Sequence, residues 1–153
     1  MSQETAALSA LLAESSIRLE QSATNQEDAI RQTGAALLEA GAIEASYIDA
    51  MLERERSVST FVGEGVAIPH GTLAGKDSVQ NDALVVLRFP DGVDWDGNDV
   101  RVCVGIAARG NGHIALLSQL ATVLLDPDKA AALRAATTSS EVYELLEPEP
   151  EDE

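Results

Sequence analysis

The two histidines are the residues of this chain best suited to chemistry. They are the only histidines among 153 residues, and His70 follows the apolar run 66–68 and Pro69. The run predicts a buried strand, the proline ends its hydrogen-bond ladder, and Gly71 lets the chain turn. His70 is therefore expected at an accessible strand end. A histidine that only satisfies its own hydrogen bonds in a turn is the simpler interpretation, because so short a motif often occurs by chance.

The second histidine, His113, directly follows the Gly-Asn-Gly sequence at 110–112 and begins an apolar segment predicted to be a helix over 113–125. The first turn of a helix has unpaired backbone amides and a positive dipole end, both of which attract phosphate. Taken alone, a histidine in this place would normally be a surface or capping residue. If both histidines lie at the same ends of neighbouring central strands, they can meet where α/β sheets place their sites.

Two arginines, Arg54 and Arg56, fall near the end of a helix predicted to start at Ser46. Cations are favourable at that end of a helix. A guanidinium also presents a planar set of donors to phosphoryl oxygens, which lysine cannot match. The simpler interpretation is a solvated arginine paired with Glu53 or Glu55, and Arg56 stays an alternative to Arg54.

The elements that must position these residues alternate between strand and helix. Strands are predicted at 17–19, 66–68, 83–89 and 100–107, and the last two are almost continuously apolar, as in the centre of a sheet. Helices are predicted at 5–13, from Thr24 with Glu27 as its capping box to Gly41, from Ser46, at 113–125, at 128–135, and from Thr138 with Glu141. This order predicts an α/β fold, a single domain with a central mixed β-sheet and helices on both faces.

Composition narrows the possible functions. The net charge of −16 disfavours nucleic acid and favours basic protein partners. The first residues lack the pattern of a signal peptide, and no apolar run approaches the length of a membrane span, so a cytoplasmic location is expected. Residues 1–146 are predicted to form the domain, and the acidic segment 147–153 to be a disordered tail.

No metal or cofactor is expected. The lone cysteine, Cys103, lies in an apolar run and is interpreted as a buried structural thiol, with no Cys/His cluster for zinc. The acidic segment 90–99 is predicted to be a turn, and it lacks the glutamate that would complete a calcium loop.

Taken together, the segments around these residues resemble the IIA proteins of the bacterial phosphoenolpyruvate-dependent sugar phosphotransferase system, mannitol/fructose type, and most closely the mannitol class. The resemblance runs from about 25 to 146. It is carried by Glu-Asp-Ala-Ile-Arg at 27–31, Tyr-Ile-Asp-Ala-Met-Leu-Glu-Arg-Glu at 47–55, Gly-Glu-Gly-Val-Ala-Ile-Pro-His-Gly-Thr at 63–72, and Ile-Ala-Ala-Arg at 106–109 before Asn111 and His113.

The resemblance implies that His70 is the phosphoacceptor, phosphorylated on its tele nitrogen, that His113 supports it, and that Arg54 is the site arginine. It implies that phosphate arrives from phospho-HPr and leaves for the cysteine of a IIB partner during uptake of mannitol or a related sugar. The membrane is then involved only indirectly, through a IIC transporter. These roles agree with the chemistry, since phosphoryl transfer needs an in-line nucleophile and neutralisation of the phosphoryl oxygens.

Two other functions stay open. The regulatory, nitrogen-type IIA proteins share Ile-Pro-His and bind other proteins according to their phosphorylation state, but the tract 50–55 and the Gly71-Thr72 pair favour the mannitol class. A small hydrolase using His70 and His113 as acid and base would lack a recognisable nucleophile motif such as Gly-x-Ser-x-Gly.

Overall fold

The structure, a computed structural model, describes residues 12, 14–57, 59–69, 79–81, 83–95, 97–107, 120, 123–124 and 126–146. Its strands are β1 (Ile17–Arg18), β2 (Phe61–Gly63), β3 (Val66–Ala67), β4 (Ala83–Trp95) and β5 (Asn98–Ala107). Its helices are α1 (Gln26–Glu39), α2 (Ser46–Ser57), α3 (Pro127–Arg134) and α4 (Ser139–Leu146), and a 3-10 turn at Glu14–Ser16 precedes β1.

The five strands form one mixed sheet in the order β1-β4-β5-β3-β2. The β4–β5 pair is an antiparallel hairpin, and each of its strands has a parallel neighbour, β1 beside β4 and β3 beside β5. The nearly continuous apolar runs at 84–87 and 102–107 are buried, because these two strands have neighbours on both sides and helices over both faces. The predicted mixed sheet is confirmed.

Helices cover both faces, as predicted, and the reason is visible along β4. Alternate residues of a strand point to opposite faces. Leu84 and Val86 belong to a core cluster with α3 and α4, whereas Val85 and Leu87 belong to a cluster with α1 and α2.

The segment 90–99, predicted to be a turn, is mostly strand. β4 continues to Trp95, the chain reverses with Gly97 at a φ of 91°, and β5 begins at Asn98. A register shift between Arg88 and Val93 accommodates the irregular stretch. The strand persists because Val93 and Trp95 are buried. The turn-forming residues around them in the sequence do not indicate that burial.

The start of α1 is also shifted by one residue from the prediction. Asn25, not Thr24, is the N-cap, and its side chain accepts a hydrogen bond from the amide of Asp28. Asp28 in turn accepts from the amide of Thr24, while Glu27 forms an ion pair with Arg31. The end near Gly41, which has a φ of 77°, is as predicted.

Of the other predicted helices, some are confirmed and some lie partly or wholly outside the described residues. The box of Thr138 and Glu141 caps α4 as predicted. The predicted helix at 5–13 and the tail 147–153 lie outside the described residues, and of the predicted helix at 113–125 the structure describes only the helical, buried residues Leu120, Val123 and Leu124. None of the helices described is long and apolar enough to cross a membrane.

Candidate functional site

The chain enters both histidine segments from the same end of the sheet. β3 and β5 are parallel, with Val66 opposite Val102 and Ala67 opposite Cys103. The pairing extends past β3, since the amide of Ile106 donates to the carbonyl of Pro69 at 3.1 Å. We call the C-terminal ends of β3 and β5 the carboxyl end of the sheet. His70 and His113 lie outside the described residues, but the residues that lead to them leave from this one end.

Helix α2 is hydrogen-bonded near both strands, at its start to the carboxyl end of β5 and in its last turn to the segment that precedes β2. At its start, the buried Tyr47 donates its hydroxyl hydrogen to the carbonyl oxygen of Ile106 at 3.0 Å. In its last turn, the carboxylate of Glu55 accepts hydrogen bonds from the amide and the hydroxyl of Thr60. Thr60 in turn accepts a hydrogen bond from the amide of Ile68 at 3.0 Å, two residues before His70. One end of α2 is therefore held at β5 and the other at β3.

The structure separates the two candidate arginines. Arg54 is half-buried and follows Tyr47 by seven residues, about two helical turns, so the two lie on the same side of α2. Arg56 is exposed and, with Gln26 and Glu27, lines a cleft between the end of α2 and the start of α1. Arg54 shares the side of α2 that contacts the end of β5, and Arg56 does not.

Cys103 is a buried structural thiol, as predicted. It is fully buried and unpaired in any disulfide. Burial strongly raises the pKa of its thiol, a hydrogen bond with Thr33 acts in the opposite direction, and the charge of Glu55 adds to the increase. A thiol kept protonated in this way is a poor nucleophile.

Sequence reasoning missed three residues that shape this region, namely Tyr47, Glu55 and Thr60. Tyr47 and Glu55 lie within the segment 47–55 that carries the family resemblance. Their neighbours in the sequence do not indicate that Tyr47 contacts Ile106, 59 residues away, or that Glu55 contacts Trp95, 40 residues away. Within the residues that the structure describes, no group of three or more His, Cys, Asp or Glu side chains could hold a metal ion.

Comparison with known proteins includes segments that the structure does not describe. A family model described as phosphoenolpyruvate-dependent sugar phosphotransferase system, EIIA 2, matches residues 10–148. The chain is 46% identical over 132 residues to a multiphosphoryl transfer protein of Salmonella typhimurium, covering 86% of this chain and 35% of that protein. It is 39% identical over 140 residues to the mannitol-specific phosphotransferase enzyme IIA component of Staphylococcus aureus, covering 92% of this chain and 97% of that protein.

Solved structures of IIA proteins have the same fold as this chain. The fold matches one chain in the structure of the Escherichia coli complex of enzyme IIA mannitol with phosphorylated enzyme IIB mannitol. The TM-score is 0.82, and the identity is 37% over 89% of this chain and 98% of that chain. It also matches the nitrogen regulatory protein IIA-Ntr of Neisseria meningitidis, with a TM-score of 0.78 and 25% identity over 90% of this chain and 97% of that chain.

The chain thus spans about a third of the length of the multiphosphoryl transfer proteins that it matches and nearly the full length of the Staphylococcus aureus mannitol-specific IIA component. The family model covers nearly all of the chain, from residue 10 to residue 148. With its mixed sheet and the strand ends that lead to both histidines, the chain belongs to the EIIA 2 family of the phosphoenolpyruvate-dependent sugar phosphotransferase system.

Proposed function

We propose that this chain is a cytoplasmic phosphocarrier that accepts a phosphoryl group from phospho-HPr on His70 and passes it to the cysteine of a IIB partner. The observation that carries the proposal is the hydrogen bond from Ile106 to Pro69. It joins the ends of β3 and β5, so the segments that contain His70 and His113 begin side by side. The proposal requires that a single phosphoryl group contact the side chains of both histidines.

The proposed reaction is a pair of phosphoryl transfers. In the first, the tele nitrogen of His70 attacks phosphorus, and the bond between phosphorus and the imidazole of HPr breaks with its electron pair returning to that imidazole. In the second, the thiolate of the IIB cysteine attacks the same phosphorus, and the bond to His70 breaks. Both steps need positioning and charge neutralisation more than covalent help from the protein.

Arg54 and His113 have supporting roles in this proposal. The guanidinium of Arg54 neutralises charge on the phosphoryl oxygens, a role favoured over one for Arg56 by its position on the side of α2 that contacts β5. His113 donates a hydrogen bond to the phosphoryl group or to His70, because the start of a helix suits binding an anion better than attacking one.

The relatives support mannitol or a related sugar as the cargo of the pathway. The Staphylococcus aureus protein is named mannitol-specific, and the Escherichia coli structure holds a mannitol IIA with its phosphorylated IIB. Identity to the nitrogen regulatory structure is lower, 25% against 37%, which favours transport over regulation.

Phosphorylation on a defined residue tests the proposal. The protein is incubated with labelled phosphoenolpyruvate, the general phosphotransferase enzyme and HPr, and the label is expected on His70, stable in base and lost in acid as a phosphoramidate is. His70→Ala should take up no label. Stoichiometric label on that variant would contradict the assignment, and a phosphorylated protein that donates to no IIB domain would favour the regulatory function.

His113 provides the companion test. His113→Ala is expected to keep some phosphorylation from HPr but to transfer more slowly to IIB, and His113→Gln to be milder because its amide keeps a donor. Both rates can be measured by rapid quench. Label that persists on His113 when His70 is removed would contradict this division of roles.

A further inference from the structure

The carboxylate of Glu55 joins three separate parts of the chain. It accepts hydrogen bonds from the side-chain amide of Gln26 at 3.1 Å, from the backbone amide of Thr60 at 2.9 Å and from its hydroxyl at 2.5 Å, and from the indole N–H of Trp95 at 2.8 Å. These donors belong to the start of α1, the segment before β2, and the end of β4. Glu55 is not among the residues proposed to contact the phosphoryl group.

These hydrogen bonds are costly to lose. Thr60 and Trp95 are buried, at 3% and 0% exposure, so water cannot readily replace the carboxylate. A buried donor without an acceptor costs about 1–3 kcal/mol. Glu55 itself is half-buried, and its two carboxylate oxygens share the four donors.

The position of Glu55 links this cluster to the proposed phosphoryl site. Glu55 directly follows Arg54 in the last turn of α2. Thr60, which Glu55 holds through two hydrogen bonds, accepts from the amide of Ile68 two residues before His70. A shift at Glu55 would therefore move Arg54 and the chain that leads to His70 relative to each other.

We propose that Glu55 is a positioning residue for phosphoryl transfer, acting through its hydrogen bonds to Thr60 and Trp95 and not through its charge. The inference rests on the proposed function, because it presumes that Arg54 and His70 act on the same phosphoryl group. A misplacement of about 1 Å can slow an enzymatic reaction about 100-fold, so a contact outside the reacting atoms can control the rate.

Three substitutions separate hydrogen bonding from charge. Glu55→Gln removes the charge but keeps the length, with an oxygen for the Trp95 indole and the Thr60 amide and an NH₂ that can donate to the Thr60 hydroxyl. Glu55→Asp keeps the charge but is one methylene shorter and cannot reach all four donors. Glu55→Ala removes both. Glu53→Ala is the matched control, because it deletes an exposed carboxylate from the same helix.

The tryptophan supplies a readout that does not depend on activity. Trp95 is the only tryptophan in the chain, so the single indole N–H resonance in a ¹H–¹⁵N spectrum reports its hydrogen bond to Glu55 directly. We expect that resonance to move upfield in Glu55→Ala and Glu55→Asp, to move little in Glu55→Gln, and to stay in place in Glu53→Ala.

Single-turnover phosphorylation by phospho-HPr gives the second readout. At saturating donor we expect Glu55→Ala and Glu55→Asp to be slower by about 100-fold, with little change in the concentration of donor at half-maximal rate. Glu55→Gln should stay within about tenfold of the parent protein, the effect of one weakened hydrogen bond. Glu53→Ala should match the parent protein.

Two results would overturn the inference. One is a Glu55→Ala variant that transfers as fast as Glu53→Ala. The other is a Glu55→Asp variant faster than Glu55→Gln, which would assign the effect to charge. If Glu55→Ala does not fold, the order of the Gln and Asp variants still decides. Failure of the proposed function is distinguishable from failure of this inference. It would appear as label on a His70→Ala variant whose Glu55 is unchanged.

Discussion

Arg54 and Arg56 are two positions apart on one helix, yet their surroundings differ. Arg54 is half-buried on the side of α2 whose Tyr47 contacts the end of β5, whereas Arg56 is exposed beside the start of α1. Residues two positions apart in an α-helix point in directions that differ by more than half a turn. Two residues of the same type and charge are therefore expected to contribute unequally to phosphoryl transfer.

Arg54→Gln is expected to fold normally and to slow transfer from phospho-HPr by about 10²–10³-fold, the usual effect of removing one donor to a developing oxyanion. A rapid-quench time course measures the rate, and thermal unfolding checks the fold. Arg56→Gln is the matched control and should transfer at the parent rate. The assignment is wrong if the Arg56 variant is the slower of the two.

Cys103 makes stability depend on pH in a direction that can be worked out. Burial raises the pKa of its thiol in the folded state, while the unfolded chain releases the proton near its ordinary pKa of about 8.5. The folded state thus holds more protons in alkali, so the contribution of Cys103 to stability is complete below that pH and falls as the pH rises above it, by about 1.4 kcal/mol per unit.

Urea unfolding between pH 7 and pH 10 under reducing conditions measures this effect. Cys103→Ala should be less stable than the parent protein at pH 7, because it leaves a cavity, but its stability should decline less steeply in alkali. Parallel curves for the two proteins would show that the thiol does not titrate differently on unfolding.

Helices α1 and α2 cross closely, and glycine makes the crossing possible. Gly34 is buried in α1, and a Cβ atom built there would lie 2.6 Å from Cγ1 of Ile48 and 3.3 Å from Sδ of Met51, both in α2. A distance of 2.6 Å cannot persist between non-bonded carbon atoms, and the 3.3 Å contact with sulfur is tight. Because α2 also carries Arg54 and is hydrogen-bonded to the end of β5 and to the segment before β2, a change at this crossing is expected to affect the proposed site as well as the core.

Gly34→Ala is expected to destabilise the protein by about 1–3 kcal/mol, the usual cost of overpacking a core, although the same change in an unobstructed helix stabilises by about 0.5–1 kcal/mol. Urea unfolding of a double-mutant cycle tests the cause. In an Ile48→Ala background the obstruction is gone, so Gly34→Ala should there be neutral or stabilising. Equal losses in both backgrounds would contradict the steric explanation.

At the scale of the whole molecule, electrostatic repulsion is the dominant feature. The chain has 26 acidic and 10 basic side chains, so most carboxylates cannot have a basic partner. The ion pairs on the described surface, such as Arg31 with Glu27 and Arg101 with Asp99, lie at partly exposed positions, where a pair contributes little. A high net charge destabilises the compact state through self-repulsion.

The melting temperature is therefore expected to rise with NaCl, by about 3 °C if screening recovers about 1 kcal/mol in a domain of this size. Most of the increase should come below about 0.3 M, where the screening length shortens most. Differential scanning calorimetry with NaCl and KCl in parallel measures it. An increase confined to molar salt would indicate exclusion of salt from the protein surface instead of screening.

Local patterns in the sequence determined several of the elements and the candidate histidines. Apolar runs predicted β4 and β5, Thr138 with Glu141 predicted the start of α4, and Pro69 with Gly71 predicted a strand end before His70. These signals work because strand burial, capping and turn formation depend on residues within a few positions of one another. The placement of His70 and His113 within the site stays a prediction.

Only the tertiary structure decided which distant residues meet. Glu55 accepts from Trp95, 40 residues away, and Tyr47 donates to Ile106, 59 residues away. Burial of Trp95 likewise extended β4 into a segment of turn-forming residues. Such contacts depend on strand register and helix packing, which are set by the whole core. Arg54 could therefore be put forward from the sequence as a candidate, but the contact between the neighbouring carboxylate of Glu55 and the end of β4 could not.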